Sequence, residues 1–440
     1  MQSLPVEFTN KKISPWGGIH LLKSIYEKCE LREFLNELEL PKRGSNRGYD
    51  SVEIIESFLV SVVLGAKRLA HCGMLRSDEV VSEIFDWKKG SPSASTFCRF
   101  FKKFDKELNQ KTFPKIQKKI FEQVGLEKMT VDIDSTVITR YGKQENASKG
   151  YNPGNKGKHS HLPIMAFCAD LNMVLNTWMR PGASGDCRDM PDFLDELFEI
   201  ISRDKIGLIR MDSGFYSGLI MSKLEATDNP VNYISKAKLH PKLKEQIYEI
   251  KNWHTPDEKS IYQYSEIIYY GVNWKKARRI VVSRKRKNTK KLSKNKELFE
   301  ELVEQESYEY YAFVTNSKLS CEMIHSLYNK RGDCENIIKE LKYDYSIEGF
   351  ALQGFYPMEA ACRFTMLAYN LMVLFKQSVI TSKHSPRLST MKFQCIALGC
   401  YIVKNGRNKM LKISAAAKRR HFLQKVFEKV DLLPPNYTIP

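Results

Sequence analysis

Apolar residues recur every three to four positions through LLKSIYEKCELREFLNELEL and SVEIIESFLVSVVLGAKRLAHCGMLRSDEVVSEIF, a spacing that predicts amphipathic helices over most of residues 1–125. The intervening PKRGSNRGYDS reads as a break. Just downstream, SPSASTFCRFFKKFDK opens on residues suited to cap a helix, which would show Arg99, Lys102 and Lys103 to solvent or to phosphate. At Met129 the period shifts to two. MTVDIDSTVI, LPIMAFCAD and MVLNTWMR read as strands, the last two forming a hairpin around Leu171-Asn172.

DMPDFLDELFEIIS then reads as a helix, KIGLIRMDSGF as a buried strand ending in a turn, GLIMSKLEAT as a helix and VNYISKAK as a strand. This alternation predicts an α/β core, a mixed sheet flanked by helices. Residues 237–308 interrupt it with two strand-like stretches, KSIYQYSEIIYYG and ARRIVVSRKRK, a β-rich basic insertion. YEYYAFVTN resumes the core over 309–375, and one long helix is expected from Ser320 past Lys342. The first part of the core spans 126–236, and residues 376–440 are expected to be helical and basic.

Composition narrows the choice of partner. Lys and Arg outnumber Asp and Glu 70 to 51 in 440 residues, a net charge of +19 that points to a polyanion held through phosphates. The run Lys275–Lys296 holds 12 Lys or Arg and no acid. No apolar run approaches the roughly 20 residues a membrane span needs, so no membrane partner is expected. The start lacks the order of a secretory signal, which leads us to expect a cytoplasmic protein. Ten cysteines without a Cys-x-x-Cys pair argue against both a disulfide framework and zinc.

The candidate chemistry lies in carboxylates. In TVDIDST, Asp132 and Asp134 share one side of a strand, and two adjacent acids there need a cation or donors unless both see water at the strand end. Asp212 closes the apolar run IGLIRMD before Ser-Gly, where ligands of open α/β sheets gather, although helix capping accounts for it equally. On a continuous helix, Tyr328, Arg331, Glu335 and Lys342 would fall within a stripe of about 60°. A solvated face with incidental ion pairing has the same composition.

Tyr328-x2-Arg331-x3-Glu335-x6-Lys342 resembles the YREK signature of insertion-sequence DDE transposases, with no substitution. Asp134 in Asp-Ser-Thr and Asp212 in Arg-x-Asp-Ser-Gly-Phe are similar to that family's other acidic motifs. The resemblance covers about Met129 to Phe375 and implies an RNase H-like core whose Asp134, Asp212 and Glu335 hold two Mg²⁺ or Mn²⁺ ions. It further implies cleavage at transposon terminal inverted repeats and strand transfer into target DNA, with a homodimer in the synaptic complex.

In that picture Tyr328, Arg331 and Lys342 contact phosphates, and Trp274, preferred over Trp253, stacks on a flipped base. A bland hydrophobic role for either tryptophan is the competing expectation. The loop YGKQENASKGYNPGNKGKHSH, with Lys149, Lys156, Lys158, His159 and His161, would grip backbone or remain solvated. Asp132 stays open either as a support behind the ligands or as a substitute ligand. Two rival readings are a nuclease without strand transfer and a transposase-derived DNA-binding protein without catalysis.

Overall fold

The computed structural model of the chain describes residues 4–185, 187–226, 228–287, 307–380 and 386–439. Contacts divide it into two units. One comprises Met1–Gly125, Ile138–Ala147 and Ile338–Pro440; the other comprises Leu126–Val137 and Ser148–Ile337.

The first unit is mainly helical, and its main N-terminal helices are Ile19–Lys28 (α1), Ser51–Val63 (α2), Ala94–Phe101 (α3) and Lys106–Phe121 (α4). Three begin where the sequence offers a side-chain acceptor. Asp50 accepts from Val52 N–H, Ser93 from Thr96 N–H and Asp105 from Leu108 N–H, each satisfying a donor left open at a helix start. All four helices pack on the buried 25-residue helix Phe355–Val379. Phe364 of that helix lies 4.9 Å from Phe113 and 5.9 Å from Phe104, ring centroid to centroid, within a cluster that includes Phe58 and Phe101. Residues 338–375, expected within the α/β core, therefore belong with the helical unit.

The second unit is built on a sheet of eight strands: Met129–Ser135 (β1), Ile164–Cys168 (β2), Met173–Trp178 (β3), Ile206–Met211 (β4), Tyr233–Lys236 (β5), Tyr262–Tyr269 (β6), Arg278–Arg286 (β7) and Tyr308–Thr315 (β8). Their order is β3-β2-β1-β4-β5-β8-β7-β6. The first three strands are antiparallel neighbours, whereas β4 and β5 run parallel to β1 and to each other. Helices Met190–Ile200 (α5) and Gly218–Glu225 (α6) precede β4 and β5. This is the mixed α/β sheet with flanking helices that the alternation predicted. Asn172 takes φ +58° in the β2–β3 turn, a left-handed conformation that Asn tolerates.

The two insertion strands do not form a sheet of their own. Pairing of β8 with both β5 and β7 makes β6 and β7 an outward extension of the core sheet. The basic run beyond Lys287 lies outside the described residues until Ser307.

Two further expectations are corrected. The single helix from Ser320 is interrupted: Cys321–Asn329 (α7) gives way to a 3-10 turn over Lys330–Asp333, and Cys334–Tyr343 (α8) follows. Gly332 in that turn is a poor helix former, so the break costs little. The C-terminal region is not wholly helical. Cys400–Asn405 and Asn408–Ile413 pair as a hairpin across Gly406 (φ +58°) and Arg407, and Ala417–Asp431 then forms the last helix. Glycine at the first central position of a two-residue turn suits the twist of the flanking strands.

Candidate active site

Alternation along β1 sends Val131 and Ile133, both fully buried, to one face and Asp132 and Asp134 to the other. The parallel register with β4 pairs Asp132 with Arg210 and Ile133 with Met211. Continued by one residue, it sets Asp134 beside Asp212 at the carboxyl ends of adjacent strands. Asp212 begins the turn after β4, accepting a 2.8 Å hydrogen bond from Gly214 N–H.

The two acids of TVDIDST serve different purposes. Asp132 is 1% exposed and holds Arg210 in a bidentate pair, Nε to Oδ1 at 2.6 Å and Nη2 to Oδ2 at 2.8 Å. Arg210 also donates to the Leu327 carbonyl at 2.7 Å, tying α7 to the sheet. Burial raises the Asp132 carboxyl above the ordinary range, and Arg210 opposes that shift. Both carboxylate oxygens are engaged by Arg210, so here Asp132 braces the pairing of β1 with β4.

Asp134 meets different company. Its Oδ1 lies 2.8 Å from Nη2 of Arg331, while the Cys334 thiol donates toward Oδ2 at 3.6 Å. Burial again raises the carboxyl, with Arg331 pulling it down and Asp212 pushing it up. Burial works against the charge of Arg331 too, yet the negative field of Asp134 holds the guanidinium above its usual value. The arrangement is a half-buried carboxylate beside a second carboxylate, with one guanidinium supplying the positive charge.

Glu335 follows Cys334 directly at the start of α8, and its side chain is exposed. Among the described residues, no three His, Cys, Asp or Glu side chains stand close enough together to hold a metal ion. The donor chemistry nevertheless fits one. Asp134, Asp212 and Glu335 are hard oxygen donors suited to Mg²⁺ or Mn²⁺, and a divalent ion would supply the charge that Arg331 now contributes.

The model of the family described as "Transposase DDE domain group 1" matches residues 1–435. The chain belongs to this family of DDE transposases. No curated protein matches it. It is similar to a cryo-EM structure of piggyBac transposase in a synaptic complex with hairpin DNA, at 10% identity and TM-score 0.42, covering 94% of this chain and 79% of that one. The chain is a DNA transposase of the DDE class, a class that generally uses divalent metal ions. Among the described residues, no helix is long and apolar enough to cross a membrane.

The remaining signature residues of this transposase do not share one face. In a 3-10 turn each residue advances about 120° rather than about 100°, and Arg331, placed in that turn, points inward at 8% exposure. Tyr328 packs its ring 4.7 Å from Phe313, and burial pushes its hydroxyl up to about 12. Lys342 pairs with Glu348 at 2.9 Å.

Trp274, the expected base-stacking residue, is instead 6% exposed and packed inside the unit. Its ring lies 5.7 Å from Tyr216 and 5.8 Å from Tyr269, and a Cβ on either Gly218 or Gly271 would come within 2.5 Å of it. Trp253 is half-buried, with the Arg284 guanidinium 4.2 Å from its ring. In the long loop, Lys149, Lys156, Lys158 and His159 are exposed, whereas His161 is fully buried, so the two histidines face different surroundings.

Arg180 had no assigned role in the sequence. It is 2% exposed and braces Asp-Ser-Thr by donating to Ser135 Oγ at 2.9 Å and to the Leu162 carbonyl at 3.1 Å. Its only advance signal was an arginine closing the apolar strand MVLNTWMR.

Proposed function

We propose that Asp134, Asp212 and Glu335 hold two Mg²⁺ or Mn²⁺ ions with which this transposase cuts DNA at the terminal inverted repeats of its element and joins the freed 3′-hydroxyls to target DNA. The neighbouring positions of Asp134 and Asp212 on β1 and β4, with an arginine as their present counter-charge, carry this reading. Bound metal would supply Lewis-acid activation of the attacking hydroxyl or water and would stabilise the leaving oxygen.

The chain's own residues organise the rest. Asp132 and Arg210 keep β1, β4 and α7 in register, so that the two aspartates stay level. Arg331, 2.8 Å from Asp134, would offer its planar fork to a phosphate of the cut strand if a bound cation took over that carboxylate. Tyr328 and Lys342 contact DNA phosphates. Glu335 stands at the start of α8, one residue from the contact that Cys334 makes with Asp134, and its exposed side chain would turn inward to share an ion with the aspartates. Two copies assemble on paired ends, and the reaction runs in the cytoplasm on nucleoid DNA.

The test incubates purified protein with Mg²⁺ and duplexes carrying the element's termini. Cleavage and joining are expected for the wild type and lost in Asp134→Ala, Asp212→Ala and Glu335→Ala, by about 10⁴-fold or more as on removal of a catalytic group. Cutting without joining assigns the chain to nucleases; wild-type rates in all three variants reject the carboxylate site.

A further inference from the structure

We propose that a cavity of the helical unit, between the loop 41–49 and α3, is a second DNA contact that grips the phosphodiester backbone of duplex DNA without reading sequence. The inference rests on DNA being this chain's substrate, and it concerns a surface that takes no part in the carboxylate chemistry. The cavity measures about 430 Å³ and is lined by Lys42, Arg43, Arg47, Arg99 and Lys103, with no Asp or Glu in its wall.

Several lysines elsewhere in the unit have acidic partners: Lys111 pairs with Glu107 at 2.8 Å, Lys404 with Glu83 at 3.2 Å and Lys23 with Asp86 at 3.1 Å. Among the described residues, no carboxylate pairs with any of the five cavity cations, all of which are exposed. Five like charges around one hollow repel each other, and an anion entering it relieves that repulsion.

The loop is also held in shape by lysines from outside it, which bind its carbonyls. Lys103 Nζ donates to the Lys42 carbonyl at 2.5 Å, and Lys89 Nζ donates to the carbonyls of Arg47 and Gly48, both at 2.9 Å. A turn from Ser45 to Gly48, closed by a 2.9 Å backbone bond, sets the spacing of Arg43 and Arg47. Lysines thus shape the loop, and Arg43, Arg47 and Arg99 keep their forked donors for a ligand. Arg99 spends one donor on Thr96 Oγ1 at 3.3 Å and no other protein acceptor is seen for it among the described residues. Phosphate is the anion that planar forks on a rigid frame fit best.

The experiment measures binding of full-length protein to a random-sequence duplex by fluorescence anisotropy across a salt series, in EDTA so that no cleavage occurs. The triple variant Arg43→Ala/Arg47→Ala/Arg99→Ala is expected to lose at least about ten-fold in affinity. Its slope of log K against log salt should be shallower by about 3, since each phosphate contact contributes about 0.9. The triple Arg→Lys variant should retain the slope. A control removing equal charge elsewhere in the unit, Lys115→Ala/Lys118→Ala/Lys412→Ala, should bind nearly as the wild type.

Equal loss in control and test variants, or no loss in either, overturns the proposal. Tighter binding of single-stranded RNA than of duplex DNA by the same arginines overturns it as well. So does a changed sedimentation coefficient with unchanged DNA affinity, which would give the surface to contacts between copies. Because metal is chelated throughout, failure of the carboxylate mechanism leaves this result standing, and the reverse also holds.

Discussion

Asp132 and Arg210 face each other across the parallel register of β1 and β4, and both of their hydrogen bonds, 2.6 and 2.8 Å long, are closed off from solvent. A pair so enclosed adds little net stability over an apolar pair, yet removing one member leaves an uncompensated buried charge. Asp132→Ala should therefore lower unfolding free energy by about 3–5 kcal/mol, read from denaturant midpoints. A loss below about 1 kcal/mol combined with abolished cleavage would move Asp132 into the metal site.

Arg331 is the positive charge beside Asp134. Arg331→Ala strands that carboxylate, and in EDTA the variant should be less stable than the wild type by about 3 kcal/mol, the low end for a broken buried pair. Millimolar Mg²⁺ should return part of that loss, because a bound cation replaces the missing guanidinium. Thermal melts of both proteins with and without Mg²⁺ read the difference; an identical Mg²⁺ response in variant and wild type counts against a metal at Asp134.

His325 on α7 makes the second unit acid-sensitive. Burial lowers its pKa, and Lys285 adds to the shift, while Tyr264 Oη lies 3.1 Å from Nδ1 and the Tyr262 ring stacks edge-on at 4.5 Å. The fold favours the neutral ring, so its contribution is complete above the unfolded value of about 6.5 and is lost as pH falls below it toward the lowered folded value. Melting temperature should fall between pH 7 and pH 5, and His325→Gln should flatten that part of the profile. An unchanged profile in the variant assigns the acid sensitivity elsewhere.

Trp274 closes on two glycines from separate parts of the second unit, which predicts a structural phenotype. Trp274→Ala should cost about 3–5 kcal/mol, the range for emptying a large aromatic site. Gly218→Ala should also destabilise, since its Cβ would stand 2.5 Å from the indole. If Trp274→Ala keeps its melting temperature and loses affinity for hairpin-ended DNA, the indole is a nucleic-acid contact after all.

Much of the candidate site could be read from local pattern. Alternation placed Asp132 and Asp134 on one face of β1, and the apolar run before Asp212 placed it at a strand end, because side-chain period and strand polarity are local properties. What escaped depends on partners distant in sequence or on backbone detail. Arg210 was read only as part of a motif, and its claim on Asp132 appears once β1 and β4 are adjacent, 78 residues apart in the chain. The burial of Trp274 needs Gly218 at the start of α6. Two misses did have local signals: Gly332 announced the break before α8, and Asn405-Gly406 announced the C-terminal hairpin inside a stretch whose basic residues suggested another helix.

The continuous pairing of β8 with β5 has a metric consequence. Five strand-to-strand steps separate β1 from β6, and at about 4.8 Å each they put the outer strand roughly 24 Å from the aspartates, close to the rise of seven base pairs. Hydrogen bonds rather than a linker set that offset. Any side chain carried on β6 is thereby held at a fixed offset from the aspartates by the lattice of the sheet, and lengthening the loop between β6 and β7 would leave that offset unchanged.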